Sequence, residues 1–103
     1  MSKQPTASER RHMERVARKP CLACGRVPVQ VHHVVGYADR AGRAPKRHDR
    51  VVPLCCVHHD VQHGPKESVH ALGHQGFFRT YGIDLMERAE RLWAASEKDE
   101  RRG

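Results

Sequence analysis

Residues 21–35 read CLACGRVPVQVHHVV, a pair of cysteines followed by a run rich in valine and histidine. Cys21 and Cys24 stand two residues apart and precede a glycine, which is typical of a tight knuckle in the chain. The valines that follow are β-branched and predict a strand. His32 and His33 lie side by side in the middle of that strand. Because a strand normally buries one face and exposes the other, two adjacent imidazoles indicate a functional site.

Length and composition restrict the chain to one small domain. It has 103 residues, of which 38% are hydrophobic and 5% aromatic, so the core is modest. Cores of this size are often stabilised by a structural metal. The formal net charge of +7 favours a polyanionic partner such as nucleic acid, although excess Lys and Arg can also serve solubility alone.

The expected location is the cytoplasm. No stretch approaches the roughly 20 apolar residues of a membrane span, and the first residues lack the apolar centre of a secretory signal. In a reducing compartment, the four cysteines are better explained as metal ligands than as disulfides.

Capping and breaking residues predict the secondary structure around the knuckle. Thr6 and Glu9 have capping-box spacing, which predicts a basic helix over residues 6–19. The segment RVVPLCC at 50–56 predicts a second short strand, and further helices are expected over 67–98.

The C-terminal helices contain both aromatic residues and histidines. Phe77, Phe78 and Tyr81 are expected in the core. His70 and His74 are four residues apart, but no partner ligands are apparent, which favours surface or packing roles for them.

Two ligand pairs predict a structural zinc site. The pairs are Cys21-x2-Cys24 and Cys55-x2-His58. Zinc takes four nitrogen or sulfur ligands in a tetrahedron, and a two-residue gap lets both members of a pair reach one ion. The alternative is a set of free, buried cysteines, which the paired spacing disfavours.

The second pair has a competing assignment. Cys56 and His59 have the same spacing as Cys55 and His58. We assign Cys55 and His58 to the zinc because this leaves His59 for a second site. Cys56 is then expected to be a thiol in the core.

A second metal site is predicted from the remaining histidines. His59 and His63 are four residues apart in a segment with helical spacing, so they would share one helix face and could bind one divalent ion. The strand offers His32 or His33 as a third ligand, and the other could act as a base. The simpler alternative is that all four are core or surface histidines.

These elements together resemble the HNH, or ββα-metal, endonuclease family. Cys-x2-Cys, His-His on a strand, a basic loop, Cys-x2-His and His-x3-His follow one another within Cys21–His63. The zinc knuckle is most similar to the phage recombination-enhancement nucleases, and the histidine pairs to the DNase colicins. The resemblance implies an α+β fold: a zinc-stapled, treble-clef-like ββα-metal core flanked by helices. The whole chain, 1–103, would be one nuclease domain with its motif core at residues 20–64.

The resemblance also implies roles for the histidines. His32, His59 and His63 would bind the catalytic divalent metal, which could be Mg²⁺, Mn²⁺, Ni²⁺ or Zn²⁺. His33 would be the general base that takes a proton from the attacking water. The implied reaction is metal-dependent hydrolysis of phosphodiester bonds in DNA, with RNA as an open alternative.

One position departs from the family pattern. The middle asparagine, which orients the base in the family, is missing. Asp49 lies nearest to that position and is the expected orienting residue, with His48 as its rival. An aspartate could hold the imidazole and stabilise its protonated form.

Basic residues are expected to bind the nucleic acid. The loop between the strands contains Arg40, Arg43, Lys46, Arg47 and Arg50, of which the last four are the preferred phosphate contacts. The N-terminal helix carries a second basic patch, formed by Arg10, Arg11, Arg15, Arg18 and Lys19. Ordinary solvated surface is the alternative for both.

Two other functions fit part of the sequence. A non-catalytic zinc module that binds nucleic acid would need the cysteines and arginines but no base beside a metal. A zinc domain that binds only protein would show no salt-sensitive DNA binding. A protein partner or a homodimer stays open, and no membrane partner is expected.

Overall fold

The computed structural model describes residues 4–34 and 48–102, which form an α+β fold. In chain order the elements are α1 (Ala7–Ala17), β1 (Gln30–His33), β2 (Val51–Leu54), α2 (Cys56–His59), α3 (Val69–Tyr81) and α4 (Leu85–Arg102). The α+β class predicted from the sequence is confirmed. Among the described residues, no helix has the length and apolar character needed to span a membrane.

The two strands form an antiparallel hairpin. Gln30 pairs with Leu54 and His33 with Val51. The ladder continues past β1, where the Val34 amide donates to the Arg50 carbonyl at 2.8 Å. All four residues of β2 are buried, because α1 and α4 both pack against this strand.

The predicted capping box of α1 is present. Thr6 Oγ1 accepts from the Glu9 amide at 3.1 Å, and Glu9 Oε1 accepts from the Thr6 amide at 2.8 Å. The helix packs against α4, where His12 Nδ1 lies 2.6 Å from Ser96 Oγ. This contact fixes the N-terminal helix onto the C-terminal one.

The core contains one of the two adjacent phenylalanines. Phe77 is fully buried, and Tyr81 packs partly buried beside it at a ring-centroid distance of 4.6 Å. Phe78 is 53% exposed, so its prediction as a core residue was wrong. Successive helical residues point about 100° apart, and only one of the pair can face the sheet.

Cys56 is exposed, so the prediction of a core thiol was wrong as well. Cys55 precedes α2 as its N-cap and is buried, and Cys56 begins the helix on its outer side. The buried core reaches Cys55 and Cys21, and the knuckle therefore borders the hydrophobic interior.

Two breaks in the helices determine where the histidines lie. The helix α2 ends at His59 because Asp60 is extended, with φ −110° and ψ 129°. Gly64 follows and packs so closely on α2 that a Cβ there would lie 1.8 Å from the Val57 carbonyl oxygen. Within α3, Gly73 has φ 73° and ψ 170°, which interrupts the helix between His70 and the following residues.

Candidate metal centres

Four side chains from the knuckle and α2 converge on one point. Cys21, Cys24, Cys55 and His58 each offer one ligand atom, and these atoms lie within 4.8 Å of one another. The Cys24 and Cys55 sulfurs are 3.6 Å apart, and His58 Nδ1 lies 3.3 Å from Cys55 Sγ and 3.7 Å from Cys21 Sγ. A tetrahedral zinc with ordinary bond lengths has ligand–ligand edges of about 3.5–3.8 Å. This cluster can therefore hold a structural metal ion, and its members are the four predicted from the sequence.

The local backbone brings the knuckle ligands together. The Gly25 amide donates to the Cys21 carbonyl at 2.8 Å, and Gly25 has φ 76°, which only glycine adopts without strain. Burial alone would raise the pKa of Cys21, but backbone N–H groups of Cys55 and Ala23 outweigh it and lower that pKa. These donors favour the thiolate, which is the form that binds metal.

The imidazole of His58 is held by its neighbours on α3. Its Nδ1 faces the sulfurs, and its ring meets Tyr81 edge-on at 5.3 Å between centroids. The Tyr81 hydroxyl donates to the Glu67 carbonyl at 2.9 Å. Burial, with the charge of Arg26, lowers the pKa of His58 and so favours the neutral ring that can coordinate a metal.

Three histidines form a second cluster, on the other side of α2. His32 from β1, His59 from α2 and His70 from α3 each offer a nitrogen, and these atoms lie within 4.8 Å of one another. The ring centroids of His32 and His59 are 5.1 Å apart, and those of His59 and His70 are 4.5 Å apart. The donor set of three imidazoles suits a divalent transition metal.

The group does not include His63. That residue is exposed, and its Nδ1 lies 3.6 Å from Asp60 Oδ2. Asp60 ends the helix and also accepts from the Gln62 amide at 2.8 Å, which forms a turn in place of the next helical turn. His63 is therefore not one turn above His59, and His70 completes the cluster in its place.

The comparisons with known proteins give one match. Residues 1–89 match a family described as "Protein of unknown function (DUF968)". The chain belongs to this family. Comparison with curated proteins and with solved structures finds no match.

Two features of this DUF968 chain favour cation binding at the histidine cluster. Burial, and then the nearby rings of His74, His59 and His70, lower the pKa of His32 to about 3, so it is neutral at physiological pH. Gln30, two residues before His32 on the same face of β1, presents its side-chain Oε1 to His59 Nδ1. This contact leaves Nε2 of His59 as the nitrogen that can bind a metal.

The two strand histidines of this DUF968 chain have different neighbours. His33 Nε2 lies 3.0 Å from His48 Nδ1, with the rings 79° apart, whereas His32 faces the cluster. This separation is what strand alternation produces. Asp49, predicted to orient His33, pairs with Arg50 at 3.3 Å, and His48 is a direct partner of His33.

A further histidine was not identified as part of the site. His74 Nε2 lies 3.0 Å from His32 Nε2, and the two rings are 5.3 Å apart and nearly perpendicular. The sequence signal was the spacing of His70 and His74, which was interpreted as surface or packing. Gly73 between them was the missed indication of a helix break.

The predicted DNA contacts are only partly described. Arg40, Arg43, Lys46 and Arg47 lie outside the described residues. Arg10 on α1 is exposed, as are Arg18 and Lys19 just after the helix, whereas Arg11 and Arg15 both bind Glu100 of α4. Part of the basic patch on α1 thus stabilises the packing of α1 against α4.

Proposed function

We propose that this chain is a metal-dependent endonuclease of the HNH type that hydrolyses phosphodiester bonds in DNA. The observation that carries the proposal is the convergence of His32, His59 and His70 on a unit that also contains a Cys3His cluster. The unit has the order strand, strand, helix, which is the order of a ββα-metal core. A structural role alone requires the first cluster but gives no reason for the second.

The two clusters would hold different ions. Zn²⁺ suits the site of three cysteines and His58, where four ligands close the coordination shell. His32, His59 and His70 would hold the catalytic cation, with three protein ligands and space for substrate. When bound, this cation would stabilise the charge that develops on the phosphate and the departing oxygen.

His33 is the proposed general base. Its ring lies beside His48, on the face of β1 opposite to His32, and a hydrogen bond between His33 Nε2 and His48 Nδ1 would hold the ring in one tautomer as it takes the proton from the attacking water. His48 then holds the tautomer and stabilises the protonated ring. In this proposal His48 orients the base, which is the role that the sequence analysis assigned to Asp49. Asp49 pairs with the adjacent Arg50.

Charge supports a nucleic-acid substrate. The net charge of +7 would attract a phosphate backbone, and such contacts give affinity that falls with salt and carries little sequence information. Exposed basic residues of α1, together with the basic loop, are the proposed contacts. DNA is the proposed substrate, and RNA is the alternative that the same contacts permit.

The test is plasmid cleavage by the wild type and His33→Ala with Mg²⁺, Mn²⁺, Ni²⁺ and Zn²⁺ in parallel. Both proteins should carry equal structural zinc and equal helix content by circular dichroism. We expect the wild type to cut and His33→Ala to lose about 10²–10⁴-fold in rate, the usual contribution of a general base. Gln75→Ala, an exposed change on α3, is the control and should cut like the wild type.

Two results would contradict the proposed nuclease activity. If neither protein cuts with any of the four ions, yet both retard DNA in a gel, the chain is a nucleic-acid-binding module without catalysis. If neither cuts nor binds DNA, both nucleic-acid functions are wrong.

A further inference from the structure

The rings of His32 and His74 are in hydrogen-bond contact through one nitrogen of each. Their Nε2 atoms are 3.0 Å apart and their planes meet at 79°, which suits an N–H of one imidazole donating to the lone pair of the other. His74 does not belong to the group of three ligand nitrogens within 4.8 Å. His74 therefore contacts His32, a member of the cluster, without being a member itself.

The break at Gly73 separates the positions of His70 and His74. Four residues apart in an unbroken helix, the two side chains would lie one above the other on one face. Gly73, with φ 73° and ψ 170°, interrupts that spacing. As a result His70 packs against His59, with centroids 4.5 Å apart and planes tilted by 52°, and His74 approaches His32 instead.

The same arrangement is found at His59. There, Gln30 Oε1 accepts from Nδ1 and leaves Nε2 to face the cluster. Partners of this kind fix the tautomer and orientation of a metal-binding imidazole. His74 is placed to do for His32 what Gln30 does for His59.

We propose that His74 is a positioning residue of the histidine cluster: its Nε2 accepts from Nε2–H of His32 and so presents Nδ1 of His32 to the cation. The role of the cation rests on the proposed function, whereas the hydrogen bond and the tautomer of His32 do not. His74 Nδ1 carries the proton in this arrangement.

The first measurement is the tautomer of His32 in full-length protein that contains the structural zinc. Long-range ¹H–¹⁵N correlation spectra at pH 7.5 distinguish a ring protonated at Nε2 from one protonated at Nδ1. We expect Nε2–H in the wild type and a mixture of tautomers in His74→Ala. In His74→Gln we expect Nε2–H again, because the amide oxygen can accept where the imidazole nitrogen did. Gln75→Ala, on the neighbouring exposed position, is the control and should match the wild type.

The second measurement is Co²⁺ affinity, followed by visible absorbance with Zn²⁺ retained in the cysteine site, where it binds more tightly. We expect His74→Ala to weaken Co²⁺ binding about 10–100-fold, as loss of an orienting partner does, and His74→Gln to recover most of it. X-ray absorption of the Co²⁺ forms should give the same number of nitrogen ligands for wild type and His74→Gln.

Two results would overturn the proposal. An unchanged His32 tautomer in His74→Ala would show that His74 does not orient the ring. A His74→Gln protein that binds Co²⁺ as weakly as His74→Ala, with one nitrogen ligand fewer than wild type, would make His74 a ligand. If the wild type binds no Co²⁺ beyond the cysteine site, the proposed function fails, and the tautomer experiment still decides the role of His74.

Discussion

His63 Nδ1 lies 3.6 Å from Asp60 Oδ2, on the turn that ends α2, while His70 occupies the place in the histidine cluster that spacing assigned to His63. The difference gives a direct prediction. His70→Ala should bind one metal ion per chain at neutral pH, and His63→Ala should bind two, like the wild type. Metal content after equilibration with excess Zn²⁺ and removal of free ion, measured by mass spectrometry, checks this. Loss of the second ion in His63→Ala with retention in His70→Ala would restore the assignment from the sequence.

The two exposed cysteines offer a matched pair for the first cluster. Cys24→Ala removes a ligand, whereas Cys56→Ala changes an exposed thiol outside the cluster. Structural zinc contributes about 10–16 kcal/mol of apparent binding free energy in small zinc domains, so Cys24→Ala should lose the ion and unfold at much lower temperature. Cys56→Ala should stay within about 0.5 kcal/mol of the wild type, as surface changes usually do.

Thermal unfolding with and without a chelator measures this difference. A chelator should lower the melting temperature of wild type and Cys56→Ala alike and leave Cys24→Ala little changed. Equal melting temperatures for all three proteins would exclude a stabilising metal at this cluster.

His12, where α1 packs against α4, makes the free energy of unfolding depend on pH. It is fully buried, its Nδ1 lies 2.6 Å from Ser96 Oγ, and its Nε2 has no hydrogen-bond partner among residues 4–34 and 48–102. Burial, and then the charge of Arg15, lower the pKa of His12 below its ordinary value of 6.5. The unfolded state therefore takes up the proton first as pH falls, and stability is lost below about pH 6.5, by at most about 1.4 kcal/mol per pH unit.

The variant His12→Gln isolates this effect from protonation of the metal ligands. Its stability should lack the contribution of His12, so the stability difference between wild type and variant should shrink as pH falls from 7.5 to 5.5. Urea unfolding at pH 7.5, 6.5 and 5.5 provides the measurement. A difference that is constant across these conditions would mean that His12 titrates alike in the folded and unfolded states.

Glu100 contributes stability that is lost in a more acidic range than that of His12. Hydrogen bonds from Arg11 and Arg15 lower its pKa from 4.5 to about 2. Because the folded-state pKa is depressed, its contribution is complete above about pH 4.5 and is lost as pH falls towards 2. Glu100→Gln should lower the melting temperature slightly at pH 7, less so in high salt, with Glu97→Gln on the same helix as the control. Equal changes in melting temperature for Glu100→Gln and Glu97→Gln would argue against a stabilising ion pair between Glu100 and α1.

The first cluster could be predicted because its geometry is local. Cys21 and Cys24 belong to one knuckle, and Cys55 and His58 to one helical turn, so spacing alone brings each pair to an ion. Cys55 and His58 were preferred to Cys56 and His59 because this leaves His59 for a second site, and the structure places Cys55 and His58 in the cluster.

The second cluster could be predicted only in part, because its members come from three elements. The helical spacing of residues 57–63 favours a helix that Asp60 ends, and competition between an aspartate turn and a helix is hard to resolve from sequence. The place of His70 depends on how α3 packs against β1 and α2, which no local pattern encodes. Which of Phe77 and Phe78 faces the core also depends on how α3 packs, and no local pattern distinguishes the two adjacent positions.

One turn of helix, α2, contributes His58 to the first cluster and the adjacent His59 to the second. Any ion that fixes the orientation of this turn through His58 also fixes the direction of His59. In a protein that loads both sites, the two binding equilibria are thus linked, and thermodynamic reciprocity makes each ion change the affinity for the other by the same factor. The ion at the cysteine cluster would then act as an allosteric effector of the ion at the histidine cluster, across a single peptide bond.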